Sequence, residues 1–130
     1  MSKSTIPEFI FSAELDRGFL QSLYEGDLQY AIEVFENFLV DTKKESDILK
    51  KLYEENDIKN LRHKLHKVKP TFAFVGLTAL TEQVEDVISS CDLATNFNEV
   101  EPGCSNLLNQ FENSFRIIQA ELERMKSHMT

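Results

Sequence analysis

The sequence predicts an all-α protein, an antiparallel four-helix bundle with a short N-terminal lead helix. Three observations carry this. Apolar residues recur at three- and four-residue spacing along most of the 130-residue chain. No stretch sustains alternation at period two. Short runs containing Gly, Asn, Asp or Pro separate the periodic segments. Helices that each carry one apolar stripe must bury those stripes against one another, and short connections make neighbours antiparallel.

Residues 1–8 read as a frayed leader. From Ser12 the run AELDRGFLQSLYEG places Leu15, Phe19 and Leu23 at four-residue spacing, a short helix weakened by Gly18 and ending near Gly26. Asp27 then caps a long helix with Leu28, Ala31, Ile32, Phe35, Phe38, Leu39, Ile48, Leu49 and Leu52 on its stripe. Its polar middle, LVDTKKESD, has neither Gly nor Pro, so the helix is expected to continue to about Glu55. Asn56 and Asp57 supply the next stop and cap.

The following helix, from about Ile58 to Val75, carries Ile58, Leu61, Leu65, Val68, Phe72 and Val75, with Gly76 as the left-handed residue that closes it. Leu80, Val84, Val87 and Ile88 mark another, running to about Cys91. Residues 92–101 form the one substantial loop. Pro102 suits a first turn, and a last helix to about Lys126 buries Leu107, Leu108, Phe111, Phe115, Ile118 and Leu122. One domain over 1–130 is expected, with an ordered core of about 9–127.

The 42% apolar and 28% charged content is that of an ordinary globule, and ten Phe with no Trp describe its core rather than its chemistry. Cys91 and Cys104 have no C-x-x-C spacing, which points to a reduced, cytoplasmic protein. The start, MSKSTIPEF, lacks an apolar signal region, and no run approaches 18 apolar residues, so neither export nor a membrane span is expected. The net charge of −8 argues against nucleic acid and anionic membranes as partners. The charge is uneven, however. Residues 58–76 hold Lys59, Arg62, Lys64, Lys67 and Lys69 with no acid, so this stretch is +5 and the remainder −13.

At about 100° per residue, with His66 at zero, the core stripe Leu61, Leu65, Val68 and Phe72 falls between about −100° and −160°. His66 is therefore off the core face. Arg62, Lys69, Ala73, Lys59 and Pro70 lie within about 60° of it, and Phe74 near +80° stands off the stripe as a docking contact or as cover for an adjoining helix. This arrangement suits phosphoryl transfer through histidine. Imidazole, with an unperturbed pKa of about 6.5, keeps a free lone pair at neutral pH without a dedicated base. Lys69, one turn on, is placed to donate a charge-assisted hydrogen bond to an attached phosphoryl group. Pro70 has no N–H, so the His66 carbonyl loses its intrahelical partner and the helix tends to bend there. By chemistry alone His63, at about +60°, would serve as well as His66.

The segment HKLHKVKPTFAFVGLTAL resembles histidine-containing phosphotransfer (HPt) domains, the relay modules of multistep two-component signalling. Their motif is a histidine, a Lys three residues on, then a small residue that is usually Gly, and a Gly ten residues after the histidine followed by a Leu that starts the packing of the next helix. Here these fall on His66, Lys69, Pro70, Gly76 and Leu80, a register that selects His66 over His63. The likeness extends weakly from about Leu15 to Leu122, and Pro70 is the departure from it.

The resemblance implies a phosphocarrier that takes a phosphoryl group on His66 Nε2 from a receiver-domain aspartyl phosphate and passes it to another receiver. The partners so implied are response-regulator receivers and the receiver of a hybrid sensor kinase. No cofactor is implied in this domain, Mg²⁺ and the catalytic acids belonging to the receiver, and no autonomous kinase or hydrolase activity. A monomer is expected. Lys69 assists, while Arg62, Pro70, Ala73, Phe74 and Gly76 support or dock. The competing readings are a helical adaptor that binds receivers or another signalling protein without transfer, and a metal site from His63 and His66 with Glu82 or Glu85. The flanking lysines and the lack of H-E-x-x-H weigh against the second.

Overall fold

The computed structural model describes residues 8–130 and, among them, contains helices and no strand. In chain order these are α1 (Arg17–Tyr24), α2 (Leu28–Glu54), α3 (Ile58–Ala73), α4 (Thr78–Leu93), a 3₁₀ turn (Phe97–Glu99) and α5 (Glu101–Met129). The leader expected over 1–8 lies, apart from Glu8, outside the described residues.

The helix starts follow the expected caps. Asp16, Asp27 and Asp57 each accept a hydrogen bond from the backbone N–H three residues on, satisfying one of the orphan donors of a first turn. Asn56 adopts φ 56° and Gly26 φ 86°, the left-handed conformations that break the chain between helices. α2 runs unbroken through its polar middle. Thr42 and Ser46, small enough to sit between packed helices, are buried there. Pro102 lies in the first turn of α5. The loop shrinks to residues 94–100, because Asp92 and Leu93 extend α4 and Glu101 opens α5.

α3 packs on α2 and α4, and α5 on α2 and α4, which closes a ring of four helices around one core. Phe35, Leu49, Leu61, Leu65, Phe72, Val84, Phe111 and Ile118 fill it, and the Phe72 ring meets those of Phe38 and Phe111 at 5.8 and 5.1 Å. Two stripe assignments are corrected. Ile48 is exposed, and in α1 the buried side chains are Leu20 and Tyr24 while Phe19 and Leu23 face solvent. The helix starts only at Arg17, after Leu15 has already entered the core from the preceding turn, so the spacing that linked Leu15 to Phe19 and Leu23 joins residues of different conformation.

α1 and the segment before it seal one end of the ring. That end gathers the start of α2, the α3–α4 turn and the end of α5. Phe9 and Phe11 are buried there, Phe11 lying 6.2 Å from Phe35 and 6.0 Å from Tyr24. Glu121 of α5, 2% exposed, accepts from the Ser12 N–H at 2.8 Å and from Arg124, so its charge is compensated inside the protein. Arg124 also donates to the Ile10 carbonyl and lies 4.8 Å over the Phe9 ring.

Candidate functional site

α3 owes its existence as a helix to its cap and its stripe. Asp57 accepts from the Asn60 backbone and side-chain amides, and these bonds hold its carboxyl below the ordinary range. Leu61, Leu65, Val68 and Phe72 are buried, which leaves His63, His66, Lys67 and Pro70 on the exposed side. His66 thus stands in solvent on a helix whose opposite face is locked into the core.

The helix passes through Pro70 without interruption and ends at Ala73, two residues short of the expected Val75. Its C-terminus is a tight closing turn. The Leu77 N–H reaches back to the Phe72 carbonyl at 2.9 Å and the Gly76 N–H to that of Ala73 at 3.0 Å, with Gly76 at φ 79°. A Cβ on Gly76 would stand 2.7 Å from Leu20 Cδ1 and 3.0 Å from Leu15 Cβ, so a side chain is excluded by conformation and by space. The Gly76 carbonyl accepts from the Asp16 N–H at 2.8 Å, and Tyr24 Oη donates to the Phe74 carbonyl at 2.6 Å. α1 therefore clamps the end of the histidine-bearing helix. Burial is the main reason the Tyr24 phenol is pushed up to about 12, with Tyr30 adding to it.

The basic character of α3 is partly spent on its neighbours. Arg62 Nε meets Asp92 Oδ1 of α4 at 2.9 Å, Lys64 Nζ meets Glu45 Oε1 of α2 at 2.8 Å, and Lys69 Nζ is paired with Glu85 Oε2 of α4. Among the described residues Lys59 and Lys67 make no ion pair, so the side facing solvent is less positive than the sequence alone implies. Composition along one helix cannot reveal these partners. Spacing could have: Arg62 and Lys69 are seven residues apart on α3, and their partners Asp92 and Glu85 are seven apart in reverse order on α4, the register of antiparallel neighbours.

The residues of the expected site therefore separate into groups. His66 and Pro70 are exposed, Lys69 and Arg62 are half-buried and reach toward α4, Ala73 is half-buried, Phe74 is 48% exposed, and Gly76 is a buried turn residue. Phe19 and Leu23, expected in the core, instead add exposed apolar surface on α1, the helix that touches the Phe74 backbone. Glu85 is engaged by Lys69, and among the described residues no three of His, Cys, Asp and Glu converge as a metal site would require. No described helix is long and apolar enough to cross a membrane.

Comparisons with curated proteins and with solved structures return no match. The family model described as Hpt domain matches residues 33–128, which takes in α3, α4, nearly all of α5 and most of α2. With three quarters of its length matched and a five-helix architecture around an exposed histidine, this chain belongs to the Hpt domain family.

Proposed function

We propose that this protein carries a phosphoryl group on His66 between receiver domains. The observation that carries the reading is the exposure of His66 on a helix fixed at both ends, one turn from Lys69 and in register with Gly76. Neutral His66, with its proton on Nδ1, attacks phosphorus through the Nε2 lone pair. The N–P bond forms as the bond from phosphorus to the aspartyl oxygen breaks. The carboxylate leaves with the electron pair, and the imidazole becomes a phosphorylated imidazolium, so no proton has to depart. Transfer to the next receiver reverses the step.

The chain supplies nucleophile, position and docking surface. Lys69 donates to the phosphoryl oxygens. Ala73 and Phe74, with Phe19 and Leu23 on α1, offer apolar contact beyond the histidine toward the α1 end of the bundle, and Lys59 and Lys67 steer an acidic receiver surface. A relay encounter has to be brief, which suits a small interface. The receiver supplies Mg²⁺ and the acids that hold it. A cytoplasmic setting agrees with two buried, unpaired cysteines.

Pro70 supports a second reading, an adaptor that binds receivers without transfer, since a proline stands where relatives usually present Gly to the partner. Incubation with phosphorylated receivers separates the two. Acid-labile, alkali-stable phosphate on the protein, lost in His66→Gln, is the expected result. Label that survives His66→Gln overturns the site, and binding with no label from any receiver leaves the adaptor.

A further inference from the structure

Glu85 is the unexpected neighbour of the phosphoryl site. It projects from α4, is about half exposed, and takes Lys69 Nζ, the cation one turn from His66. Lys69 is only a quarter exposed, so its stem is held between α3 and α4 and its ammonium reaches a limited set of acceptors. In this resting arrangement the lysine's charge is engaged by a carboxylate.

We propose, resting on the reading of His66 as the phosphoryl carrier, that Glu85 is a positioning residue which withholds Lys69 from His66 until a phosphoryl group arrives and then competes with it for the lysine. A partly exposed ion pair is weak, whereas a phosphoryl group brings nearly two negative charges and three strong acceptor oxygens. Lys69 therefore exchanges partners on phosphorylation, and the carboxylate it must leave remains a competitor for it. That competition limits how strongly phosphohistidine is held. That suits a carrier, because a phosphate bound too firmly is not passed on.

The test uses the full chain phosphorylated by phosphoramidate, a small donor whose P–N bond breaks to release ammonia as His66 Nε2 bonds to phosphorus. Phosphorus NMR then follows the phosphohistidine signal and its decay in wild type, Glu85→Gln, Lys69→Ala and the double variant. Glu85→Gln is expected to lengthen the lifetime by about two- to fivefold, the worth of an exposed pair. Lys69→Ala is expected to shorten it, and Glu85→Gln is expected to have no further effect in the Lys69→Ala background, a coupling that a merely structural change would not produce. Phosphate on His66 that decays at the wild-type rate in Glu85→Gln overturns the role of Glu85 and leaves His66 standing, as does an equal gain in the double variant. Absence of phosphate from His66 in the wild type overturns the reading of His66 and this proposal together.

Discussion

Two single residues bracket the chemistry of α3 from opposite directions. Gly76 combines a left-handed backbone with contact to Leu20 and Leu15 that leaves no room for a Cβ. Gly76→Ala is therefore expected to lower stability by about 2–4 kcal/mol in denaturant unfolding, adding the conformational cost to that of overpacking. Pro70 acts the other way. It leaves the His66 carbonyl without an intrahelical donor on an exposed face, so Pro70→Ala restores that bond and is expected to raise stability by about 1–3 kcal/mol. Unchanged unfolding in either variant would contradict the argument. At this scale the sequence was informative where a residue obeyed one repeating geometry. His66 stands outside because Leu61, Leu65, Val68 and Phe72 stand inside. Phe19 and Leu23 depart from that geometry because the chain before Arg17 is a turn, and a helical spacing counted from Leu15 does not pass through it.

The elements are joined by contacts that no single helix discloses. α1 holds the end of α3 through the Tyr24 hydroxyl on the Phe74 carbonyl. Tyr24→Phe is expected to cost about 1 kcal/mol, the value of one net hydrogen bond. The phenol's folded pKa is raised from 10.0 to about 12, so its stabilising contribution is complete below pH 10 and is lost as pH rises from there toward 12. The advantage of wild type over Tyr24→Phe in alkaline melts should therefore shrink as pH enters that window. At the other end of α3, the Asp57 cap has a lowered pKa, and its contribution is present above the usual value of 3.8 and is lost as pH falls below it. Thermal melts should show Asp57→Asn, which keeps an acceptor, less sensitive to acid than wild type. The caps were legible because each places Asp directly before a periodic run. The α3–α4 ion pairs were not, because their meaning depends on which helix lies alongside.

Over the whole molecule, the charge asymmetry seen in the sequence survives only in part. Three of the five cations on α3 are engaged with acids of α2 and α4, and the face toward solvent keeps Lys59 and Lys67. The ring of four helices also encloses both thiols. Burial pushes the Cys104 thiol up to about 12, with Cys91 and Glu101 adding to it, and raises that of Cys91. Native protein at neutral pH is therefore expected to react slowly with a thiol reagent, the rate rising as denaturant opens the bundle. Rapid modification of both cysteines without unfolding would mean that the α4–α5 end is looser than its packing indicates. The bundle itself was legible from period alone, since four stripes of this length have few ways to be buried together.

The closing turn of α3 has one more consequence. Bonded to the Asp16 N–H and pressed on Leu20, Gly76 is the zero mark of a dial, and the helix behind it reads out an angle for every residue at about 100° per step. One residue inserted or deleted between His66 and Gly76 would swing the imidazole by that angle, away from solvent or around toward another helix, with its chemistry intact. The ten-residue interval is thus a setting of orientation, which reactivity at the histidine does not itself require.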